Sequence, residues 1–114
     1  MEAAEIDTLA RAVIQLNAAE NDVAVIVPDD DVVGAACRWD IILCGDVCYE
    51  APMAARILPW LRRMARSAEV WIADPGRAYL PKSGLTPIGR YIVITSLELE
   101  DRTIREVVLY RLLP

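Results

Sequence analysis

The sequence predicts an α/β fold with a doubly wound sheet, closed at its C-terminal end by an antiparallel pair of strands. Three observations lead there. Short apolar runs of strand character alternate with stretches patterned for helices; two of those runs end in acidic turns; and the chain finishes on two strand-like runs separated by a short link. Strands that end in acidic loops along one sheet edge are how open α/β sheets build ligand sites.

The elements follow in order. Residues 2–5 are too few for a strand by themselves and run straight into a helix. Asp7 or Thr8 can cap that helix, whose apolar face is Ala10, Val13, Ile14 and Leu16 and whose end falls near Asn21. Residues 23–27 form a β-branched run that stops at Pro28, a strand by composition. Asp29, Asp30 and Asp31 continue as an exposed acidic loop. Residues 40–44 are continuously apolar after Asp40 and are expected to be a strand covered on both faces. A helix is predicted over 50–66: Pro52 is tolerated in its first turn, and Met53, Ile57, Leu61 and Met64 recur at helical spacing. Pro59 predicts a bend within it. Residues 70–73 are another buried strand. The segment 74–87, with three prolines and two glycines, is expected to be a loop with room for a short helix. Residues 91–95 and 103–112 are the closing strands, and a link as short as 96–102 suits antiparallel neighbours. Internal repeats and low-complexity segments are absent.

Composition narrows the function. At 114 residues, with 55% apolar and 25% charged side chains, the chain is one globular domain or part of one. Its apolar runs stop at six or seven residues, too short to span a bilayer. The N-terminus has neither a basic start nor a long apolar stretch, so no signal peptide is expected and the cytoplasm is the default. A net charge of −5 argues against broad nucleic-acid binding. Arg62, Arg63 and Arg66, at helical spacing, read as the solvated face of a helix or a docking patch for an acidic partner. Cys37, Cys44 and Cys48 are expected to be buried free thiols, because with no histidine and no second cysteine pair a zinc site would be short of ligands. The lack of histidine also excludes a Ser-His or Cys-His nucleophile within the chain.

Three places could carry chemistry. Glu5, at a strand end before a helix, is placed to accept both ribose hydroxyls of a nucleotide cofactor, although alone it reads as an ordinary acidic helix start. In Gly45-Asp46-Val47-Cys48-Tyr49, Gly45 lets the backbone approach a ligand, Asp46 can accept hydrogen bonds from an amine, and Tyr49 offers a ring face to a cation. The plain alternative is a strand-end aspartate that caps the next helix. In Asp74-Pro75-Gly76-Arg77, Pro-Gly explains itself as turn chemistry, and Asp74 and Arg77 either pair with each other or shape the wall of an acceptor pocket beside Asp46. One of Asp29 to Asp31 can reach an adenine amino group; the sequence leaves open which.

These motifs carry a resemblance. The chain resembles the C-terminal two-thirds of the Rossmann-like, seven-strand, S-adenosylmethionine-dependent methyltransferases, and most of all the electron-transfer-flavoprotein β-subunit lysine methyltransferases and their bacterial relatives. The matching residues are Glu5-Ile6-Asp7 leading to Leu16-Asn17, then Gly45-Asp46 with Tyr49, then Asp74-Pro75-Gly76-Arg77. Bacterial members of that group often carry a loose label as nicotinamide methyltransferases. The resemblance implies S-adenosylmethionine as cofactor, no metal, and a lysine side chain of a protein as acceptor. Asp46, Tyr49 and Asp74 would then form the acceptor site, with Glu5, Asp29, Asp30 and Gly45 toward the cofactor. It also implies that the first strand and first helix, with a glycine-rich cofactor loop, would lie before Met1, so that residues 1–114 are a truncated domain lacking a part that activity needs. In that fold the first strand pairs with the strands of Glu5 and of 40–44, and losing it leaves main-chain groups unpaired at about 1–3 kcal/mol each. The alternative from another class is a non-catalytic α/β remnant that forms homo-oligomers through exposed strand edges or complements a separate N-terminal piece. A nicotinamide-dinucleotide domain shares the acidic strand end but accounts for neither acidic turn.

Overall fold

The computed structural model describes residues 1–94 and 104–114 and divides the chain into two units, Met1–Ala35 and Ala36–Pro114. In the first unit, helix α1 spans Thr8–Glu20. Asp7 caps it, its carboxylate accepting the Ala10 N–H at 3.0 Å, and Asn21 closes it. Both ends fall where the sequence put them. No α1 side chain is buried, and Leu9 and Leu16 are exposed.

The strand predicted over 23–27 reduces to a single parallel bridge, Glu2 with Ile26. The Ala3 N–H donates to the Ile26 carbonyl at 2.9 Å, and the Ile26 N–H to the Met1 carbonyl at 3.0 Å. A ladder needs an equally long extended partner. The opposing segment turns away at once, because the Glu5 carboxylate takes the N–H groups of Ile6 (2.9 Å) and Asp7 (3.0 Å) and bends the chain into α1.

The second unit holds a four-stranded mixed sheet of β1 (Ile41–Gly45), β2 (Glu69–Asp74), β3 (Leu85–Ile94) and β4 (Ile104–Leu112), in the order β1-β2-β4-β3. β1 and β2 are parallel, from Ile41↔Glu69 to Gly45↔Ala73; β4 is antiparallel to both β2 and β3. The closing antiparallel pair is as predicted, but β3 begins at Leu85 rather than Tyr91, and no helix forms between β2 and β3. Pro87 escapes the rule against proline in strands because β3 is an edge strand and its register shifts between Pro87 and Gly89. The link predicted over 96–102, with the flanking Thr95 and Thr103, lies outside the described residues.

β1 departs from its expected burial on both faces. Cys44 is buried, whereas Ile41 and Leu43 are exposed, Leu43 by 72%. The strand lies at the end of the sheet order and is covered on one face.

Helix α2 (Ala51–Met64) starts with Pro52 in its first turn, where a missing N–H costs nothing, and continues past Pro59. Ala54, Trp60, Leu61 and Met64 are its buried side. With Val70 and Ile72 of β2, Leu112 of β4 and Cys48 they make the core. Trp39 meets Trp60 edge to face at 6.0 Å. No helix among the described residues is long and apolar enough to cross a membrane.

The expectation of a solvated arginine face holds for Arg63 and Arg66, which are exposed, and fails for Arg62. The Arg62 guanidinium donates to the carbonyls of Leu113 (3.1 Å) and Ser83 (2.9 Å), tying α2 to the segments flanking β4 and β3. Gly84, at φ +74°, makes room for it: a side chain there would collide with the guanidinium. Arg62→Ala is expected to cost about 1–2 kcal/mol through these two charge-assisted bonds, read as a lower urea midpoint at unchanged slope.

Candidate functional site

Parallel pairing of Gly45 with Ala73 brings the C-terminal ends of β1 and β2 side by side, so the two acidic turns emerge together on one sheet edge. The Asp46 N–H extends the pairing by one rung, donating to the Ala73 carbonyl at 3.0 Å. Asp46 then takes φ +49°, a left-handed conformation that aspartate tolerates better than most residues. Backbone strain in a non-glycine residue at a strand end is a mark of functional sites.

The Asp46 carboxylate is gripped at both oxygens by one guanidinium. Arg77 Nε donates to Oδ1 at 2.9 Å and Nη2 to Oδ2 at 2.7 Å. Arg77 can reach across because its own main chain is fixed. Asp74 Oδ2 accepts the N–H groups of Gly76 and Arg77, both at 2.8 Å, and Gly76 supplies the φ of +102° that the turn requires. Asp74 itself is 1% exposed, and its Oδ1 is buried with no hydrogen-bond partner among the described residues. An unpartnered buried carboxylate oxygen is costly and calls for an explanation.

Sequence reasoning therefore identifies the two turns but not their wiring. It allows Asp74 to pair with Arg77; in the structure Asp74 holds the Arg77 main chain while the Arg77 side chain crosses to Asp46. Tyr49 is 59% exposed at the same turn, and a Cβ on Gly45 would meet nothing within 4 Å, so the main chain there is open to approach. Glu5, Asp29 and Asp30 belong to the first unit. Glu5 has Oε1 engaged by its two main-chain bonds, and Asp29 Oδ1 accepts from Arg11 at 2.8 Å. Asp30 has no hydrogen bond to the described residues. A surface cavity of about 260 Å³ beside Asp29 is lined by Thr8, Arg11, Ala12, Gln15 and Val27.

Cys48 is a fully buried neighbour of this site; Cys44 and Cys48 are buried as expected, whereas Cys37 is only half-buried. All three cysteines are free. Burial, then the negative charges of Asp74 and Asp46, push the Cys48 thiol up to about 11, and burial with Cys48 nearby pushes Cys44 to about 12. Both folded-state values lie above the ordinary 9.0, so the unfolded chain releases these protons first as pH rises. Stability is expected to be unaffected by these groups below pH 9 and to fall between pH 9 and 12, measured as urea midpoints across that range. At pH 8, alkylation should modify Cys37 well before Cys44 and Cys48.

No family model matches the chain. It is 30% identical over 105 residues to the electron transfer flavoprotein beta subunit lysine methyltransferase of Xenopus laevis, covering 85% of this chain and 43% of that protein. It is 32% identical over 78 residues to the Danio rerio protein of the same name, covering 65% of this chain and 30% of that protein. In sequence this chain is similar to lysine methyltransferases. The resemblance read from the motifs is thus borne out, and the chain spans less than half the length of these curated methyltransferases. In fold it is similar to the magnesium protoporphyrin IX methyltransferase of Synechocystis PCC 6803 with bound SAH, at a TM-score of 0.64, 15% identity, and coverage of 99% of this chain and 63% of that one. It is also similar to a mutant of MtNAS in complex with S-adenosylmethionine, at a TM-score of 0.60, 14% identity, and coverage of 99% and 45%. The architecture is an α/β methyltransferase-like fold with a mixed sheet of four strands.

Proposed function

We propose that this chain carries the acceptor site of an S-adenosylmethionine-dependent methyltransferase that acts on lysine side chains of a protein. The observation behind this reading is the pair of adjoining turns, in which a strained Asp46 and a buried Asp74 meet on one sheet edge. Similarity to the lysine methyltransferases, over a stretch that covers most of this chain, supports the acceptor class.

The residues fit the cofactor in chemical type. Glu5 keeps Oε2 for a ribose hydroxyl while Oε1 is fixed by main-chain N–H groups. Of the acidic loop, Asp29 is engaged by Arg11 and Asp31 caps Val33, so Asp30 keeps both oxygens for an adenine amino group. The open main chain at Gly45 suits close approach. S-adenosylmethionine, when bound, supplies a sulfonium methyl group for in-line displacement by an amine. This chain's own work is positioning. Asp46 accepts an N–H of the incoming amine, Tyr49 lines the entrance, and Asp74 holds the turn that carries Arg77.

In this reading the four strands are part of a seven-strand sheet, and the outer edge of β1, unpaired among the described residues, is where a further strand would add. That edge, with Ile41 and Leu43 exposed beside it, equally favours a second reading, a module that associates without catalysis. The deciding experiment mixes the protein with the electron transfer flavoprotein beta subunit and radiolabelled S-adenosylmethionine, with a parallel titration of S-adenosylhomocysteine. Label on lysine supports the first reading. Concentration-dependent oligomers with neither label nor cofactor affinity support the second.

A further inference from the structure

We infer that Arg77 offsets the charge of Asp46 so that the acceptor subsite takes an amine in its neutral form. This deepens, and rests on, the acceptor reading of Asp46. The bidentate fork occupies one lone pair on each carboxylate oxygen and leaves the other free to accept an N–H. The carboxylate can therefore still orient an amine. What it loses is the bare negative charge.

That loss matters for nucleophilicity. A carboxylate within about 4–6 Å of a lysine favours the protonated form, and an ammonium has no lone pair with which to attack. An unpaired Asp46 would attract the substrate and hold it in its unreactive state. The groups facing Asp46 are Arg77 from the turn after β2, Asp74 at the end of β2 and Cys48 in its own turn, the last a neutral thiol at physiological pH. Arg105 of β4 also donates to the Pro75 carbonyl at 3.3 Å, which brings a second guanidinium to the turn. The Arg77 main chain is pinned by Asp74 Oδ2, so the fork is set before any ligand arrives. Arg77 is in this sense a positioning residue.

The test uses small amines and the intact chain, with binding followed by NMR at pH 7. The probes are ethylamine, charged at that pH, and 2,2,2-trifluoroethylamine, uncharged. Wild type should bind the uncharged probe at least as well as the charged one. Arg77→Gln should bind ethylammonium about tenfold more tightly than wild type, Arg77→Lys should stay near wild type, and Asp46→Asn combined with Arg77→Gln should lose the gain. The inference is overturned if folded Arg77→Gln binds ethylammonium no better than wild type. Should that variant fail to fold, a wild-type preference for ethylammonium overturns it instead. In the methyl-transfer assay, the pH–rate profile of Arg77→Gln should move about one unit alkaline, the equivalent of that tenfold. Absence of methyl transfer by wild type at every pH removes the methyltransferase reading, while the two-probe contrast still decides the role of Arg77.

Discussion

Asp46→Ala is expected to abolish methyl transfer while leaving S-adenosylhomocysteine affinity within about twofold of wild type. Asp46 is the acceptor-side carboxylate of the proposed mechanism, and a positioned group of this kind contributes about 10²–10⁴-fold to a rate. The fold should survive. The pair with Arg77 is half-exposed, so its loss costs about 0–1 kcal/mol, and alanine at φ +49° adds about 1–2 kcal/mol. Asp46→Asn, which tolerates the left-handed backbone, separates the two contributions: it should remove activity with almost no change in melting temperature. Equal loss of turnover and cofactor affinity would place Asp46 in the cofactor site instead.

The second large effect is on stability. Asp74→Ala deletes the acceptor for two main-chain N–H groups and opens a void where the side chain is buried. A loss of about 2–3 kcal/mol is expected, which in a domain of this size lowers the melting temperature by about 10–20 °C. Asp74→Asn behaves differently. Its carbonyl oxygen can keep both bonds, and the amide removes a negative charge next to Cys48 and Asp46. It should stay within about 1 kcal/mol of wild type in a thermal melt. If Asp74 Oδ1 serves a ligand, Asp74→Asn is stable but impaired in turnover; an Asp74→Asn variant with full activity assigns Asp74 to the turn alone.

Much of the fold is legible in the sequence wherever the deciding interaction is local. The helix over Thr8–Glu20 is readable because Asp7 bonds an N–H three residues on, and that spacing is written in the sequence. The same holds for β2, whose apolar run alternates with half-buried positions, and for α2, whose periodic face includes the buried Leu61 and Met64. The acidic turns stand out because Gly-Asp and Asp-Pro-Gly-Arg are local signals. The strand predicted over 23–27 fails for the converse reason. Its composition favours extension, yet a ladder depends on what lies opposite, and a short segment that turns at Glu5 offers one bridge. The burial of β1 on both faces fails likewise, because an apolar run does not state its place in the sheet order. Pro87 hides the start of β3, since whether proline is tolerated depends on being at an edge.

The acidic turns after β1 and β2, the Asp7 cap of α1 and the resemblance to methyltransferases are all legible in the sequence. Each of these depends on residues a few positions apart, where bonding and periodicity are set by spacing. Only the fold sets the Arg77 side chain on Asp46 while Asp74 holds its main chain, ties Arg62 of α2 to the Leu113 and Ser83 carbonyls, and buries Asp74 with Oδ1 unpartnered among the described residues. Those side-chain pairings join residues 21 to 51 positions apart. Their partners are chosen by sheet register and strand order, which no local pattern encodes.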